Sequence, residues 1–146
     1  MQVTTDRTYD FAVGVDALWA AIARTDDYRR WWPWLRRLEG GEFAPGAEWA
    51  CVVQPPLPYT LRFRMTFARV EPAAAVEVAV AGDIAGTASL TLTGDGTRSQ
   101  ARLVSALEPS NRALQVVARV AGPMVRMGHD WVLDTGLRQF RRKALP

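Results

Sequence analysis

Residues 10–35 read DFAVGVDALWAAIARTDDYRRWWPWL, and the change of period inside this stretch sets the architecture. Leading into it, Thr5, Arg7, Tyr9, Phe11 and Val13 alternate with Thr4, Asp6, Thr8, Asp10 and Ala12. That parity predicts a half-buried strand. The spacing then turns helical: Leu18, Trp19 and Ile22 share one side, with Asp16 placed as N-cap. Thr25 restarts the pattern as a second cap, and Asp26 and Asp27 fall in the first turn, where the helix dipole favours anions. Pro33 stops this second short helix at or before Trp32, because the residue ahead of a proline is driven out of helical geometry. Three of the six tryptophans therefore crowd around one proline. Each has a large apolar face and one N–H that needs a partner. The expected division has one or two of them anchoring the short helices and Trp31 or Trp34 on the rim of a pocket.

Beyond Leu35 the chain reads as strands. LRRLEGG (35–41) is a weak candidate. EWACVVQ (48–54) is better, with Trp49, Cys51 and Val53 on one face. PPLP (55–58) breaks the chain. YTLRFRMTFARV (59–70) alternates most clearly: Tyr59, Leu61, Phe63, Met65 and Phe67 point one way, Thr60, Arg62, Arg64, Thr66 and Ala68 the other. Arg69 continues the inward parity unless a bulge intervenes. VEVAVAGD (76–83), AGTASLTLT (85–93) and RSQARLVSAL (98–107) follow, the last two joined by the turn GDGT. Short spacing with turn chemistry between strands predicts a mostly antiparallel sheet.

From Ser110 the period is helical again, with Leu114, Val117, Ala118 and Ala121 at i, i+3, i+4 and i+7. Gly122–Pro123 breaks or kinks that helix. A longer one runs from Met124 to the region of Lys143, its inner stripe made of Val125, His129, Val132, Leu133, Gly136, Leu137 and Phe140. Asp130 and Asp134 lie on its polar side beside Arg126, Arg138 and Arg141, which reads as i,i+4 ion pairing. Val120, Met124, Met127 and Trp131 form a second stripe nearly opposite His129. Either the break rotates its phase, or the two short helices cover it, or it contacts a second copy; cover within the chain is the favoured reading. One strand, two short helices, about six more strands and a long final helix make a single α+β domain spanning residues 1–146.

Composition narrows the function. Hydrophobic residues are 49% and charged residues 23%, as in ordinary globular proteins. No apolar run nears the roughly 20 residues of a membrane helix. The start MQVTTDRTYDF lacks a basic segment followed by an apolar block, so no secretory signal is expected. The single cysteine, Cys51, has no internal disulfide partner, which fits a reducing cytoplasm. It reads as a small inert hydrophobe. One histidine and one cysteine are too few for a Cys/His zinc site, and no metal or cofactor is expected. The net charge of +3 is carried almost wholly by arginine, Lys143 being the sole lysine; with the many alanines this fits a GC-rich, bacterial coding bias. The basic cluster LRQFRRK (137–143) sits where a helix ends and the dipole favours cations. No basic face with base-stacking aromatics can be assembled, so nucleic acid is not an expected partner.

The order of elements resembles the helix-grip fold of the START/Bet v 1-like (SRPBCC) superfamily, in particular its polyketide cyclase/dehydrase branch. Three stretches carry the resemblance: residues 10–35 quoted above, GTASLTLTGDGTRSQARLVSAL (86–107), and GHDWVLDTGLRQFRRKA (128–144). It implies a curved antiparallel sheet of about seven strands wrapped around a long C-terminal helix, with two short helices after the first strand. It also implies a space between sheet and helix for a polyketide- or lipid-like ligand. Polyketide cyclisation or dehydration, ligand carriage or sensing, and co-chaperone-like protein interaction all occur on this fold, in a monomer or homodimer.

No nucleophile–base pair, P-loop, HExxH or GxGxxG is legible. Polar residues in phase with the apolar faces are the remaining candidates. His129 either does acid–base work or is a buried imidazole held by a carbonyl. Arg7 and Arg69 either grip a carboxylate or enolate oxygen or snorkel outward from a strand end. Ser99 and Ser105 offer hydroxyls. The expected cavity lining is Trp31, Trp34, Trp49, Phe63 and Met65 with Gly86, Leu90, Leu103, Ser105 and Val125. Small residues such as Gly86, Ala88 and Ala101 opposite aromatics either interlock as a packed core or leave room for a ligand.

Overall fold

The computed structural model describes residues 1–145. Its first strand, β1 (Val3–Phe11), leads into α1 (Val15–Ile22), a 3-10 turn (Thr25–Asp27) and the single-turn α2 (Tyr28–Trp31). Six strands follow: β2 (Leu35–Glu39), β3 (Glu48–Val53), β4 (Leu61–Glu71), β5 (Ala75–Gly82), β6 (Ile84–Gly94) and β7 (Ser99–Pro109). Two helices close the chain, α3 (Arg112–Val120) and α4 (Gly122–Ala144). The strands form one curved sheet in the order β1-β7-β6-β5-β4-β3-β2, every neighbouring pair antiparallel. The α+β architecture expected from the sequence is therefore present.

Because β1 and β2 are the two edges, the chain between them must cross from one edge to the other. It does so as α1 and α2, which place Leu18, Ala21 and Trp31 in one buried cluster with Phe11 on β1 and Phe140 on α4. A second cluster joins Trp49, Cys51 and Val53 of β3 to Phe67 of β4 and Val76 of β5. α4 has 23 residues, about 35 Å of helix, and lies against the concave face. It begins at Gly122 rather than Met124, since Pro123 occupies a first-turn position whose N–H would be unpaired anyway.

The caps differ from expectation. Asp16 does not cap α1. Gly14 does, with extended backbone and no side-chain cap. Val15 N–H instead donates to the Asp95 carbonyl at 3.0 Å, so the β6–β7 hairpin supplies the partner a capping side chain would have offered. A Cβ at Gly14 would lie 2.6 Å from the Gly96 carbonyl oxygen, which is why the hairpin comes so close only to glycine. Thr25 does not cap either; it lies inside the 3-10 turn, with no side-chain hydrogen bond to the backbone there. Asn111 caps α3, its Oδ1 accepting from Leu114 N–H at 2.7 Å.

Candidate ligand cavity

Two apolar chambers lie between the concave face of the sheet and α4. The first holds 230 Å³ and sits where the ends of β4, β6 and β7 meet α3 and the first half of α4. Of the expected lining residues it contains Phe63, Leu103, Ser105 and Val125, together with His129. The second, of 300 Å³, lies toward α1 and α2 and contains Trp34, Leu90 and again Leu103. Tyr9, Trp32 and Phe140 complete its aromatic wall. Leu103, Val132 and Leu133 belong to both chambers.

Two glycines on α4 make room for the aromatic cover. A Cβ on Gly128 would meet the Tyr59 hydroxyl at 2.6 Å and the Leu57 methyl at 2.8 Å, and one on Gly136 would lie 3.1 Å from the Trp34 ring. The loop before β4 thus closes on one and the chain after α2 on the other. Trp32 Nε1 donates to the Gly136 carbonyl and Trp34 Nε1 to Gln139 Oε1, both at 2.9 Å. The two rings stack with centroids 5.6 Å apart. Satisfied N–H groups and stacked faces fix these rings as a rigid wall.

Trp31 is not part of that wall. Only 1% exposed, it packs edge-on against Phe140 at 5.6 Å, with the Arg24 guanidinium over its ring. Trp49 also lies outside the cavity: it donates to the Glu42 carbonyl and packs 4.5 Å from Phe67. Met65, its register partner, fills the same cluster. Gly86 lines neither chamber; its φ of 149° lets β6 press against β7, where a Cβ would collide with the Ala106 carbonyl oxygen.

Arg69 turns away. The β4–β5 register slips between Phe67 and Arg69, so the inward parity ends at Phe67 and Arg69 faces solvent, 2.8 Å from Glu71 and 3.6 Å from Glu77. Arg7 keeps its inward parity but is engaged by two carboxylates on α4, Asp134 at 2.7 Å and Asp130 at 3.1 Å. This corrects the expected i,i+4 pairing of those aspartates with the arginines of their own helix. A guanidinium with several donors in a fixed fork satisfies both carboxylates at once. Ser99 serves the fold, donating to the Val13 carbonyl at 2.8 Å. Burial of Cys51 pushes its thiol up to about 11, so it stays protonated.

His129 stands in the wall of the first chamber. Its Nδ1 lies 3.3 Å from Asp130 Oδ1 and its Nε2 3.2 Å from the Thr5 hydroxyl. An ionised carboxylate only accepts, so the proton belongs on Nδ1, which leaves the Nε2 lone pair facing Thr5. Burial lowers the imidazole below its ordinary value, the Asp130 charge opposing this in part, and the ring is neutral near pH 7. The result is a polar chain, Asp134–Arg7–Asp130–His129–Thr5, running from the surface into an otherwise apolar space. Sequence parity reached Arg7 and His129. Asp130, Thr5, Tyr9, Tyr59 and Trp32 were missed as site residues, although the strand parity of Tyr9 and the glycine pair on α4 were readable signals.

The stripe of Val120, Met124, Met127 and Trp131 is partly bare. Val120 is 81% and Met127 56% exposed, while Met124 and Trp131 are half-buried. The short N-terminal helices do not cover it, because they meet α4 on the Gly136 and Phe140 side.

No family model and no curated protein sequence matches this chain. Solved structures do. A START superfamily protein from Mycobacterium smegmatis matches with a TM-score of 0.73 over 97% of this chain and 96% of that one, at 11% identity. The Zhui aromatase/cyclase from Streptomyces sp. R1128 matches with a TM-score of 0.65 over 97% and 96%, at 13% identity. Norcoclaurine synthase from Thalictrum flavum, in complex with dopamine and hydroxybenzaldehyde, matches with a TM-score of 0.59 over 98% and 88%, at 11% identity. This chain has the helix-grip fold of the START/Bet v 1-like superfamily. In this helix-grip protein the sheet is antiparallel and the final helix long. At such identities the fold is what is shared, and one fold hosts many activities. No helix among the described residues is long and apolar enough to cross a membrane.

Proposed function

We propose that this protein binds a hydrophobic small molecule, polyketide- or lipid-like, in the cavity between the sheet and α4. The observation that carries the reading is the composition of the walls: mostly aliphatic and aromatic side chains, with His129, Ser105, Tyr59 and the exposed Glu108 as the few polar residues lining the first chamber. A mostly apolar concavity with a small number of placed polar groups is what ligand sites look like. Two neighbours in fold are an aromatase/cyclase and a synthase in complex with dopamine and hydroxybenzaldehyde, which supports a small-molecule site in the same place here.

The test is native mass spectrometry of the purified protein, followed by tryptophan fluorescence titration with apolar ligands. Trp32 and Trp34 stand in the wall and report occupancy. A retained apolar adduct, or saturable quenching, is the expected result. A clean apo mass with no response to any apolar ligand overturns the reading.

A second reading adds cyclase/dehydrase-like catalysis, favoured by the neutral His129 in the chamber wall. Its Nε2, once the Thr5 hydroxyl that it faces turns aside, is suited to remove a proton from a carbon flanked by keto groups. The enolate then attacks a second carbonyl carbon, and the imidazolium returns its proton to that oxygen. In this reading Arg7 is a positioning residue, since its donors are used on Asp130 and Asp134, and Arg69 has no part. His129→Gln should abolish turnover while ligand affinity stays within a few-fold; equal loss of both would leave a carrier.

A further inference from the structure

Each chamber alone is at or below the roughly 300 Å³ lower limit of ordinary ligand pockets, at 230 and 300 Å³. The β1–β7 register shows how they are placed along the sheet. Thr5 faces Ser105, Arg7 faces Leu103 and Tyr9 faces Ala101. Ser105 lines only the first chamber, Ala101 only the second, and Leu103 both. Leu103 therefore stands between the two chambers, with Val132 and Leu133 of α4 as the other residues that line both.

The far end has a polar group of its own. Tyr9 lines the second chamber, and its hydroxyl is buried without a hydrogen-bond partner. Arg7 comes within hydrogen-bonding reach of it, but with an alignment too poor to satisfy the hydroxyl, because the well-aligned guanidinium N–H groups go to Asp130 and Asp134. A buried hydroxyl left unpaired is unfavourable, and in a cavity wall a ligand oxygen is the natural group to relieve it.

We propose that the ligand is an elongated, mostly apolar molecule that passes a neck at Leu103 between the two chambers and carries an oxygen function near each end. One end meets His129 and Ser105, the other the Tyr9 hydroxyl. This rests on the cavity being a ligand site and adds the shape and polarity of what fills it. Four residues of strand separate Thr5 from Tyr9, which sets the two oxygens roughly 13 Å apart. Seven residues of α4 separate His129 from Gly136, about 10 Å, a span of the same order on the helix side. Compact single rings and chains with an oxygen at one end only are the poorer ligands.

The test uses the intact protein and three probes: hexanol, decanol and decanediol, each titrated against tryptophan fluorescence. Decanediol should bind about fivefold more tightly than decanol, and Tyr9→Phe should erase that difference while decanol affinity holds. Leu103→Trp should weaken decanediol about tenfold more than it weakens hexanol. Leu133→Phe narrows the same neck from the helix side if the first variant does not fold. A diol preference that is absent, or that survives Tyr9→Phe, overturns the two-ended ligand. Equal losses for hexanol and decanediol in the neck variants overturn the joined path. Both of those outcomes leave the cavity a binding site; failure of every probe on the unmutated protein removes the binding reading itself.

Discussion

The Arg7 guanidinium on β1 lies 3.1 Å from the Asp130 carboxylate on α4, and this contact ties the edge of the sheet to the helix it wraps. Asp130 in turn holds the Nδ1 side of His129. Arg7 is 30% and Asp134 66% exposed in their side chains, so water weakens the pairing. Arg7→Met should cost about 1 kcal/mol in urea unfolding. The more telling effect is on His129. Arg7 is one of the charges that lower its proton affinity, so the histidine titration followed by NMR should move up in Arg7→Met. A titration that does not move would mean that Arg7 does not reach His129.

His129 also sets a pH dependence. Its folded value lies below the ordinary 6.5, chiefly through burial. Between the folded value and 6.5 the unfolded chain binds more protons than the native state, so stability rises with pH across that window. Stability should be full above about pH 7 and decline as pH falls through 6.5, levelling off once the folded imidazole is also charged. Asp6, Glu71 and Asp95 are lowered by their own partners and act in a separate, more acidic window. Urea midpoints measured from pH 8 to pH 5 should show the step. His129→Phe should flatten it, and a step that persists in that variant would assign it to another group.

The two helix glycines should respond differently to a methyl group. In an exposed helix, alanine for glycine gains about 1 kcal/mol. At Gly136 the new Cβ meets only the edge of the Trp34 ring at 3.1 Å, and a shift of a few tenths of an ångström relieves it. Gly136→Ala should be neutral to slightly stabilising. At Gly128 the Tyr59 hydroxyl and the Leu57 methyl are both closer than 3 Å, and the loop carrying them must move. Gly128→Ala should lose about 1–2 kcal/mol net and widen access to the first chamber. Thermal melts of the two variants side by side decide it, and a stabilised Gly128→Ala would show that the loop yields freely.

The contrast between legible and illegible features follows from where each is encoded. Side-chain parity is local, so the inward faces of β1, β3 and the first half of β4 follow from Thr5 to Phe11, Trp49 to Val53 and Leu61 to Phe67. The bulge that turns Arg69 outward comes from pairing with β5, and RFRMTFARV carries no residue that marks it. Asp16 is a good cap by type, yet the Asp95 carbonyl of a distant hairpin takes that place. Asp130 and Asp134 look like partners for the arginines of their own helix, and only the fold reveals Arg7 as the better fork. His129 was legible as inward and polar, but its Nδ1 and Nε2 partners were not, because both depend on which strand lies against α4.

The tryptophans around Pro33 separate structural anchor from cavity wall. Trp31 is fully enclosed by Phe140, Tyr28 and Trp32, so Trp31→Ala should cost about 3–5 kcal/mol and leave little folded protein. Trp34 is half-buried, with one face on Trp32 and its N–H on Gln139. Trp34→Phe keeps most of the stacking area and loses one hydrogen bond, a cost of about 1 kcal/mol. It should remain folded while the fluorescence response to apolar ligand falls, since one of the two wall reporters is gone. Trp31→Phe should do the reverse, lowering the melting temperature and keeping the ligand response per folded molecule. If Trp34→Phe leaves the response intact and Trp31→Phe removes it, the ligand lies on the α2 side of the aromatic cluster, outside the chamber assigned to it here.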